Sequence, residues 1–260
     1  MVPRFLYFIN SSFGAGENNL KNMKSKLIDG IDVLSGLFSS EQEFIDHVIH
    51  NILFFDKAMV RNQALDMRQQ IRLGKAIPVR YNSNDPFFLQ HTVKTTTPSF
   101  KNKSDAIRFT NNEENALFHR KTKIRVCFDR DGNYYPKQAI AKYTQHKVSC
   151  GNLSTVVNYT IAHIWSKTDN PLYFSLLWNY CLIPCHCTFL TDKRDDSHPV
   201  VKQVKDLIKA ICIELYNPNR IMDWNQDVLA EEEKPSSETL KLARGLIKEN
   251  RINFLQVRES

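Results

Sequence analysis

Four residues between positions 158 and 193 carry side chains suited to hydrolysis, namely His163, Asn179, His186 and Asp192. A histidine that is neutral near pH 7 can accept a proton from water. A second imidazole or a carboxylate can hold a metal ion that stabilises charge on a phosphate group. We therefore interpret residues 158–193, the central segment, as the part of the chain most able to perform chemistry.

The sequence around these four residues predicts how the chain positions them. An aromatic and β-branched stretch ends at His163, and a polar loop then runs through Asn170 and Pro171. A second apolar stretch continues beyond Asn179 and leads through a turn towards a helix. This pattern predicts strand, loop, strand and helix, with a histidine on the first strand and an asparagine between the strands.

This arrangement resembles the active-site finger of the HNH nucleases, also called the ββα-metal fold. In that family a histidine ends the first strand, an asparagine precedes a short apolar strand, and a helix bears a metal ligand. The resemblance implies an α+β fold with a ββα-metal finger core, N-terminal helices and short antiparallel strands. It also implies that His163 is the general base, that Asn179 positions the histidine or its loop, and that His186 or Asp192 binds a metal.

Two positions depart from the pattern of the family. Ala162 stands directly before the histidine, where the family usually has an aspartate or histidine as a metal ligand. Thr188 stands nine positions beyond the asparagine, where a histidine or asparagine is usual. The metal site is therefore either partly lost or rebuilt from other residues, and the candidate replacements are Asp169, Asp192 and Asp195.

Cysteines crowd the second half of the central segment and raise the question of zinc. Cys181, Cys185 and Cys187 lie beside His186, but their spacings do not form the paired Cys-x-x-Cys units of a structural Zn²⁺ site. We favour buried free cysteines over zinc ligands. Six cysteines in a chain with no evident secretion signal indicate reduced thiols and a cytoplasmic protein.

The net charge of +7 favours an anionic partner, most simply nucleic acid. Two groups of cations are candidates for phosphate contacts: Arg61, Arg68 and Arg72 along a predicted helix, and Lys121, Lys123 and Arg125 on one face of a strand predicted over residues 122–128. A solvated helix face and an exposed sheet face explain the same residues without any ligand. No apolar run approaches the roughly 20 residues that span a bilayer, so we expect no membrane partner.

The elements that must position the central segment follow from periodicity. We predict a mainly helical region over residues 1–115 with a role in recognition, a finger region over 116–217, and a linker, helix and short strand over 218–260. Residues 1–9 predict a buried strand, and the Gly-x-Gly at 14–16 lacks the rest of a phosphate loop.

These observations lead to two alternative functions. The first is a metal-dependent endonuclease that hydrolyses DNA phosphodiester bonds with Mg²⁺ or Mn²⁺, in restriction or phage defence. The second is a non-catalytic module that binds nucleic acid or protein through a degenerate structural finger. The spacing of His163 and Asn179 and the positive charge favour the nuclease, whereas Ala162 favours the module.

Overall fold

The computed structural model describes residues 29–81, 88–90, 99–112, 114–192, 198–218 and 234–258. Its helices are α1 (Gly30–Ser35), α2 (Glu41–Asn51), α3 (Lys57–Arg72), α4 (Lys103–Asn111), α5 (Tyr134–Thr144), α6 (Phe189–Asp192), α7 (Pro199–Tyr216) and α8 (Ser237–Lys248). Its strands are β1 (Leu53–Phe55), β2 (Ile77–Val79), β3 (Phe88–Gln90), β4 (Leu117–His119), β5 (Arg125–Phe128), β6 (Tyr159–His163), β7 (Tyr180–Pro184) and β8 (Asn253–Leu255). The strand predicted over residues 1–9 and the Gly-x-Gly loop lie outside the described residues.

The first sheet has the strand order β6-β7-β1-β8. β7 pairs antiparallel with both β6 and β1, whereas β1 pairs parallel with β8. Strands from all three predicted ranges, 1–115, 116–217 and 218–260, therefore meet in one sheet. The division into those ranges stays a prediction.

The second sheet has the order β2-β5-β4-β3. β2 runs parallel to β5, and the other two pairs are antiparallel. Both sheets are thus mixed, because each contains one parallel pair. The chain combines helices with these two small mixed sheets, so the prediction of α and β elements is confirmed. Most strand pairs are antiparallel, as expected, and the parallel pair in each sheet was not predicted.

The strand predicted over residues 122–128 is shorter than expected. Lys123 has a φ of 59°, in the left-handed region, and its backbone N–H donates to the carbonyl of His119 at 2.9 Å. Such a conformation belongs to a turn rather than a strand. Lys121 and Lys123 therefore lie in the turn between β4 and β5, and only Arg125 lies on the strand. The prediction that the three cations share one strand face is wrong.

Helix α7 forms much of the main core. Its buried residues follow the predicted apolar stripe and include Val200, Val204, Leu207, Ile211 and Leu215. Burying an aliphatic side chain of this kind contributes roughly 1.5–3 kcal/mol, so the stripe anchors the helix firmly. The helix packs against α2, α3 and α8. At its end the Tyr216 hydroxyl accepts from the N–H of Phe55 and donates to its carbonyl, which ties α7 to β1.

The ends of several helices follow the signals in the sequence. Ser40 caps α2, since its hydroxyl oxygen accepts from the N–H of Glu43 at 3.1 Å. α7 begins with Pro199 in its first turn, a position that proline favours, and His198 is its cap because a ring nitrogen accepts from the N–H of Val200. Most of the predicted linker lies outside the described residues. No helix in the described ranges has the length and apolar character to cross a membrane.

Candidate active site

Strands β6 and β7 form a hairpin that holds the central segment. Tyr159 pairs with Pro184 at one end of the hairpin, and His163 pairs with Tyr180 at the other. Aromatic and β-branched residues dominate β6, which explains why this short stretch is a strand. The predicted strand, loop, strand and helix are all present, because α6 follows β7 after one 3₁₀ turn. His163 is the last residue of β6, at the start of the long loop.

Asn179 closes this loop from inside the protein. Its side chain is fully buried, and its Oδ1 accepts a hydrogen bond from the N–H of Trp165 at 2.8 Å. Its Nδ2 donates to the carbonyls of Trp165 at 3.2 Å and Tyr173 at 3.1 Å. In the backbone, the Asn179 carbonyl accepts from the N–H of Ile164 at 2.9 Å. The asparagine thus joins both halves of the loop that begins at His163.

His163 is held between two aromatic rings and two polar groups. Its ring stacks on Phe174 at 5.6 Å between centroids and meets the edge of Tyr180 at 5.0 Å. Its Nε2 lies 3.3 Å from Asn133 Oδ1 and 3.5 Å from a terminal nitrogen of Arg80. Burial, and then the positive charge of Arg80, lower the pKa of His163 to about 3. The imidazole is therefore neutral at neutral pH.

Arg80 follows β2 and extends its guanidinium towards His163. Nε and Nη2 donate to the carbonyl of Gly132 at 3.2 and 2.9 Å, and Nη2 also donates to Asn133 Oδ1 at 2.8 Å. The backbone N–H of Arg80 donates to the carbonyl of Thr168 in the loop after β6 at 2.8 Å. Burial lowers the pKa of Arg80, and the negative charge of Asp129 opposes that effect.

Asp129 organises the turn that presents Gly132 and Asn133. This carboxylate is fully buried at the end of β5. Its oxygens accept from four backbone N–H groups, those of Asp131, Gly132, Tyr134 and Tyr135, at 2.5–3.2 Å. Gly132 has a φ of 85°, which glycine adopts without strain. The turn fixes Asn133, the cap residue of α5, against Arg80 and His163.

Two adjoining cavities meet at His163, and together we call them the cleft. The first, of about 450 Å³, is lined by Arg80, Asn133, His163 and hydroxyl residues, which are Thr160, Ser166, Thr168, Thr188 and Thr191. The second, of about 380 Å³, shares Ala162, His163, Ser166 and Thr191 and adds the cations Lys167, Lys205 and Lys209. Among the described lining residues of both cavities, every charged side chain is cationic. The cleft therefore favours an anionic ligand.

The predicted metal ligands do not meet His163. His186 lies beyond Pro184, and β6 and β7 place it at the end of the hairpin opposite to His163, about 13 Å away along the strand. Its exposed ring lies 6.4 Å from that of His47. Asp192 ends α6, and its side chain lies outside what the structure describes. Thr188 and Thr191 from this part of the chain line the cleft instead.

The described side chains around His163 do not fit a divalent metal. Ala162 offers only a buried methyl group where the family has a ligand. Within the described ranges, no three His, Cys, Asp or Glu side chains converge as a metal site would require.

The cysteines of the central segment are free thiols. Cys181 and Cys187 are buried, as expected, whereas Cys185 is exposed. Burial raises the pKa of Cys181 to about 12 and that of Cys187 to about 11.

The predicted phosphate-contacting residues lie outside the cleft. Arg61 and Arg72 are exposed on α3, and Arg68 is half-buried on the same helix. Lys121 and Lys123 are exposed in the β4–β5 turn, and Arg125 donates to the carbonyl of Asn115 at 3.2 Å. The β4–β5 turn borders the loop after β6, because buried His119 lies 3.9 Å from Asp169. The turn cations thus lie near the loop after β6, whereas no α3 residue lines either cavity of the cleft.

Sequence patterns missed most of the residues that line the cleft, and Arg80, Asn133 and Lys205 are three examples. Arg80 is a cation directly after a short buried strand, Asn133 is a turn residue, and Lys205 lies on the flank of the apolar stripe of α7. Charged and turn residues are common in such positions, so no local signal distinguishes these three. They reach His163 only through the packing of separate elements.

The fold and the cleft define a protein of mixed α and β structure with a cationic cavity at a hairpin histidine. A family model described as "Uncharacterised protein PM1201" matches residues 55–259, and the chain belongs to that family. The matched range begins in β1 and includes every residue named in the cleft. No curated protein and no solved structure matches significantly.

Proposed function

We propose that the protein is a nuclease that hydrolyses DNA phosphodiester bonds in the cleft, with His163 as the general base. One observation carries the proposal: His163 stands where two cavities meet, and all the described charged residues that line them are cations. Phosphodiesters carry one negative charge per phosphate, so a cationic cleft attracts them. A water molecule held beside His163 would then face the phosphorus.

The proposed reaction uses the neutral imidazole as a proton acceptor. Water forms a new bond to phosphorus as His163 takes its proton, and the bond from phosphorus to the leaving oxygen breaks. The leaving oxygen receives a proton from solvent, and the products are a phosphomonoester and a hydroxyl group. A pKa of about 3 makes a weak base, because general bases work best when their pKa lies near the working pH. The proton affinity of His163 must therefore rise when substrate is bound.

Asn179 supports this proposal as a positioning residue. Its three side-chain hydrogen bonds hold Trp165 and Tyr173, which lie in the first and second halves of the loop beside the cleft. A loop fixed in this way keeps His163 in one orientation before substrate arrives. Pre-organisation of this kind lowers the cost of reaching the reactive geometry.

The proposal includes a divalent cation, Mg²⁺ or Mn²⁺, on the strength of the resemblance to HNH nucleases. The described side chains around His163 do not fit such an ion, so we assign no step to it. Asp192 remains a candidate ligand by resemblance alone. Restriction or defence against phage DNA in the cytoplasm is the biological setting that the resemblance suggests.

A non-catalytic module that binds nucleic acid is the second candidate. Two observations favour it: Ala162 replaces a metal ligand, and the pKa of His163 is far below neutrality. Such a module would use the same cationic cleft to hold a phosphate without cleaving it. The two candidates predict the same binding and differ only in turnover.

The experiment that tests the proposal is a cleavage assay with purified protein. Plasmid DNA and phage DNA, each modified and unmodified, are incubated with Mg²⁺, Mn²⁺, Zn²⁺ or a chelator. The nuclease proposal predicts cleavage with at least one cation. Binding without cleavage under every condition would overturn it in favour of the module.

A further inference from the structure

We infer that Arg80 and the hydroxyl groups of the cleft form a site for a phosphate group, in which Arg80 supplies the cationic contact that the family takes from a metal. The inference rests on the cleft assigned in the proposed function, but it concerns binding and not cleavage. Three features carry it: a charge without a direct ion pair, unused hydrogen-bond donors and the direct contact with His163.

The charge of Arg80 has no direct ion pair in the described part of the chain, and the buried carboxylate of Asp129 acts on it only through space. No ion pair joins its guanidinium to a carboxylate there, and its partners are the Gly132 carbonyl, the Asn133 amide oxygen, the His163 ring and, at 5.7 Å, the Phe174 ring. Removing an unpaired cation from water is costly. A bound anion would offset that cost. The same burial lowers the pKa of Arg80.

Arg80 also has N–H groups without a hydrogen-bond acceptor among the described residues. A guanidinium carries five N–H groups, and the hydrogen bonds of Arg80 to protein groups use only Nε and Nη2. Nη1 donates to nothing among the described residues. Arginine binds phosphate oxygens well because its planar N–H groups match their geometry.

Hydroxyl groups in the same cavity complete the site. Thr160, Ser166 and Thr168 line the same cavity as Arg80. Their side chains have no hydrogen-bond partner in the parts of the chain that are described, so their O–H groups can donate to an anion. Thr188 and Thr191 differ, because each hydroxyl already donates to a backbone carbonyl, at 2.9 Å in both cases. The first three hydroxyls are therefore the donors that we assign to the phosphate.

Occupancy of this site would change the state of His163. Arg80 is the only charged group in hydrogen-bond reach of the ring in the described structure; the other neighbours are Asn133 of the α5 cap, Phe174 of the loop and the neutral phenol of Tyr180 on β7. An anion on Arg80 would cancel the repulsion that opposes protonation. His163 would then accept a proton more readily, as the proposed hydrolysis requires.

Calorimetry of the full chain with inorganic phosphate, and with a thymidine dinucleotide as a phosphodiester, tests the site directly. We expect saturable binding of both ligands at one site per chain. Arg80→Gln should weaken binding by about tenfold or more, in line with the loss of charge-assisted hydrogen bonds. Arg244→Gln removes one positive charge from α8, which lines neither cavity of the cleft, and should leave binding unchanged. Equal weakening by both variants, or none by Arg80→Gln, would overturn the inference.

Nitrogen NMR of the His163 ring gives an independent readout. Sulfate serves as the anion, because it stays doubly ionised at lower pH than phosphate does. Saturating sulfate should raise the midpoint of His163 titration by about one unit or more. Arg80→Gln should raise that midpoint without sulfate and abolish any further rise. A midpoint that sulfate leaves unchanged in wild type would contradict the inference even if nuclease activity is present.

Two further variants keep the test decisive if Arg80→Gln does not fold. Ser166→Ala and Thr168→Val remove hydroxyl donors from the site and leave Arg80 and its contacts with Gly132 intact. Each should weaken phosphate binding, and Thr191→Val should have the smaller effect because its hydroxyl is already engaged. Unchanged phosphate binding in both Ser166→Ala and Thr168→Val would exclude these hydroxyl groups as donors to the ligand. Failure of DNA cleavage alone would leave all these binding results standing.

Discussion

The side chain of Asn179 binds both backbone polar groups of Trp165: it accepts from the N–H at 2.8 Å and donates to the carbonyl at 3.2 Å. A third hydrogen bond runs from the same amide to the carbonyl of Tyr173. The asparagine is completely buried, so its removal leaves these backbone groups without contact with bulk water. This relationship makes Asn179 the residue that fixes the loop beside the cleft.

Replacement of Asn179 by alanine should therefore destabilise the fold by about 2–4 kcal/mol, because one buried N–H and two carbonyls lose their partner. Urea denaturation of wild type and variant measures the difference. Asn152→Ala is the matched control: this asparagine is exposed, and its replacement should change stability by no more than about 0.5 kcal/mol. A loss below about 1 kcal/mol for Asn179→Ala would contradict its assigned role.

Stability should fall as the pH is lowered from about 6.5 to about 4.5, and His163 should contribute to the fall. The pKa of His163 is about 3 in the folded protein and near 6.5 when unfolded. The unfolded chain therefore binds the proton more readily in this range, and acid favours unfolding by up to about 1.4 kcal/mol per pH unit for one group. Burial also lowers the pKa of His119, so this histidine adds to the loss of stability in acid.

Urea denaturation at several pH values tests this contribution. His163→Gln should make the dependence of stability on pH shallower, since the variant lacks the titrating ring. His50→Ala removes an exposed histidine and should leave the slope as in wild type. Equal slopes in wild type and His163→Gln would mean that His163 titrates normally in the folded state.

Binding to DNA should weaken steeply with salt, and the cations of the β4–β5 turn should carry part of that dependence. Lys121→Gln combined with Lys123→Asn removes two exposed charges, and asparagine tolerates the positive φ of position 123. Each lost phosphate contact should reduce the slope of log K against log salt by about 0.9. Fluorescence anisotropy between low and moderate salt measures this slope.

The α3 cations provide the comparison within the same assay. Arg61→Gln combined with Arg72→Gln also removes two exposed charges, but from a helix that contributes no residue to the lining of the cleft. We expect a smaller effect from this pair than from the turn pair. If neither pair changes the slope, the phosphate contacts lie within the cleft alone.

His186→Ala should leave DNA cleavage and its cation requirement unchanged within about threefold. The hairpin places His186 at the end opposite to His163, beside His47, and groups so far apart cannot share one small ion. Initial rates over a range of Mg²⁺ and Mn²⁺ concentrations measure the effect. A marked rise in the concentration of cation needed would restore His186 as a metal ligand.

Local patterns predicted the hairpin and much of the helical structure. Alternation and turn residues fix His163 and Asn179 on consecutive parts of one hairpin, and the apolar stripe fixes α7. Lys123 shows where such a pattern fails: alternation continues through a residue that adopts a left-handed turn. Arg80 shows a second limit, because it meets His163 across 83 positions of sequence. That meeting depends on the packing of separate elements, which periodicity does not encode.

The rate of DNA cleavage by His163→Ala, relative to wild type under the same conditions, tests the central claim most directly. The variant should bind DNA with nearly wild-type affinity and keep its fold, because the cations of the cleft and the hydrogen bonds of Asn179 remain. Its single-turnover rate should fall by about 10²–10⁴, the usual cost of losing a positioned general base, whereas the exposed-histidine variant His50→Ala should cut normally. A His163→Ala protein that cuts as fast as wild type would show that the cleft is not the active site.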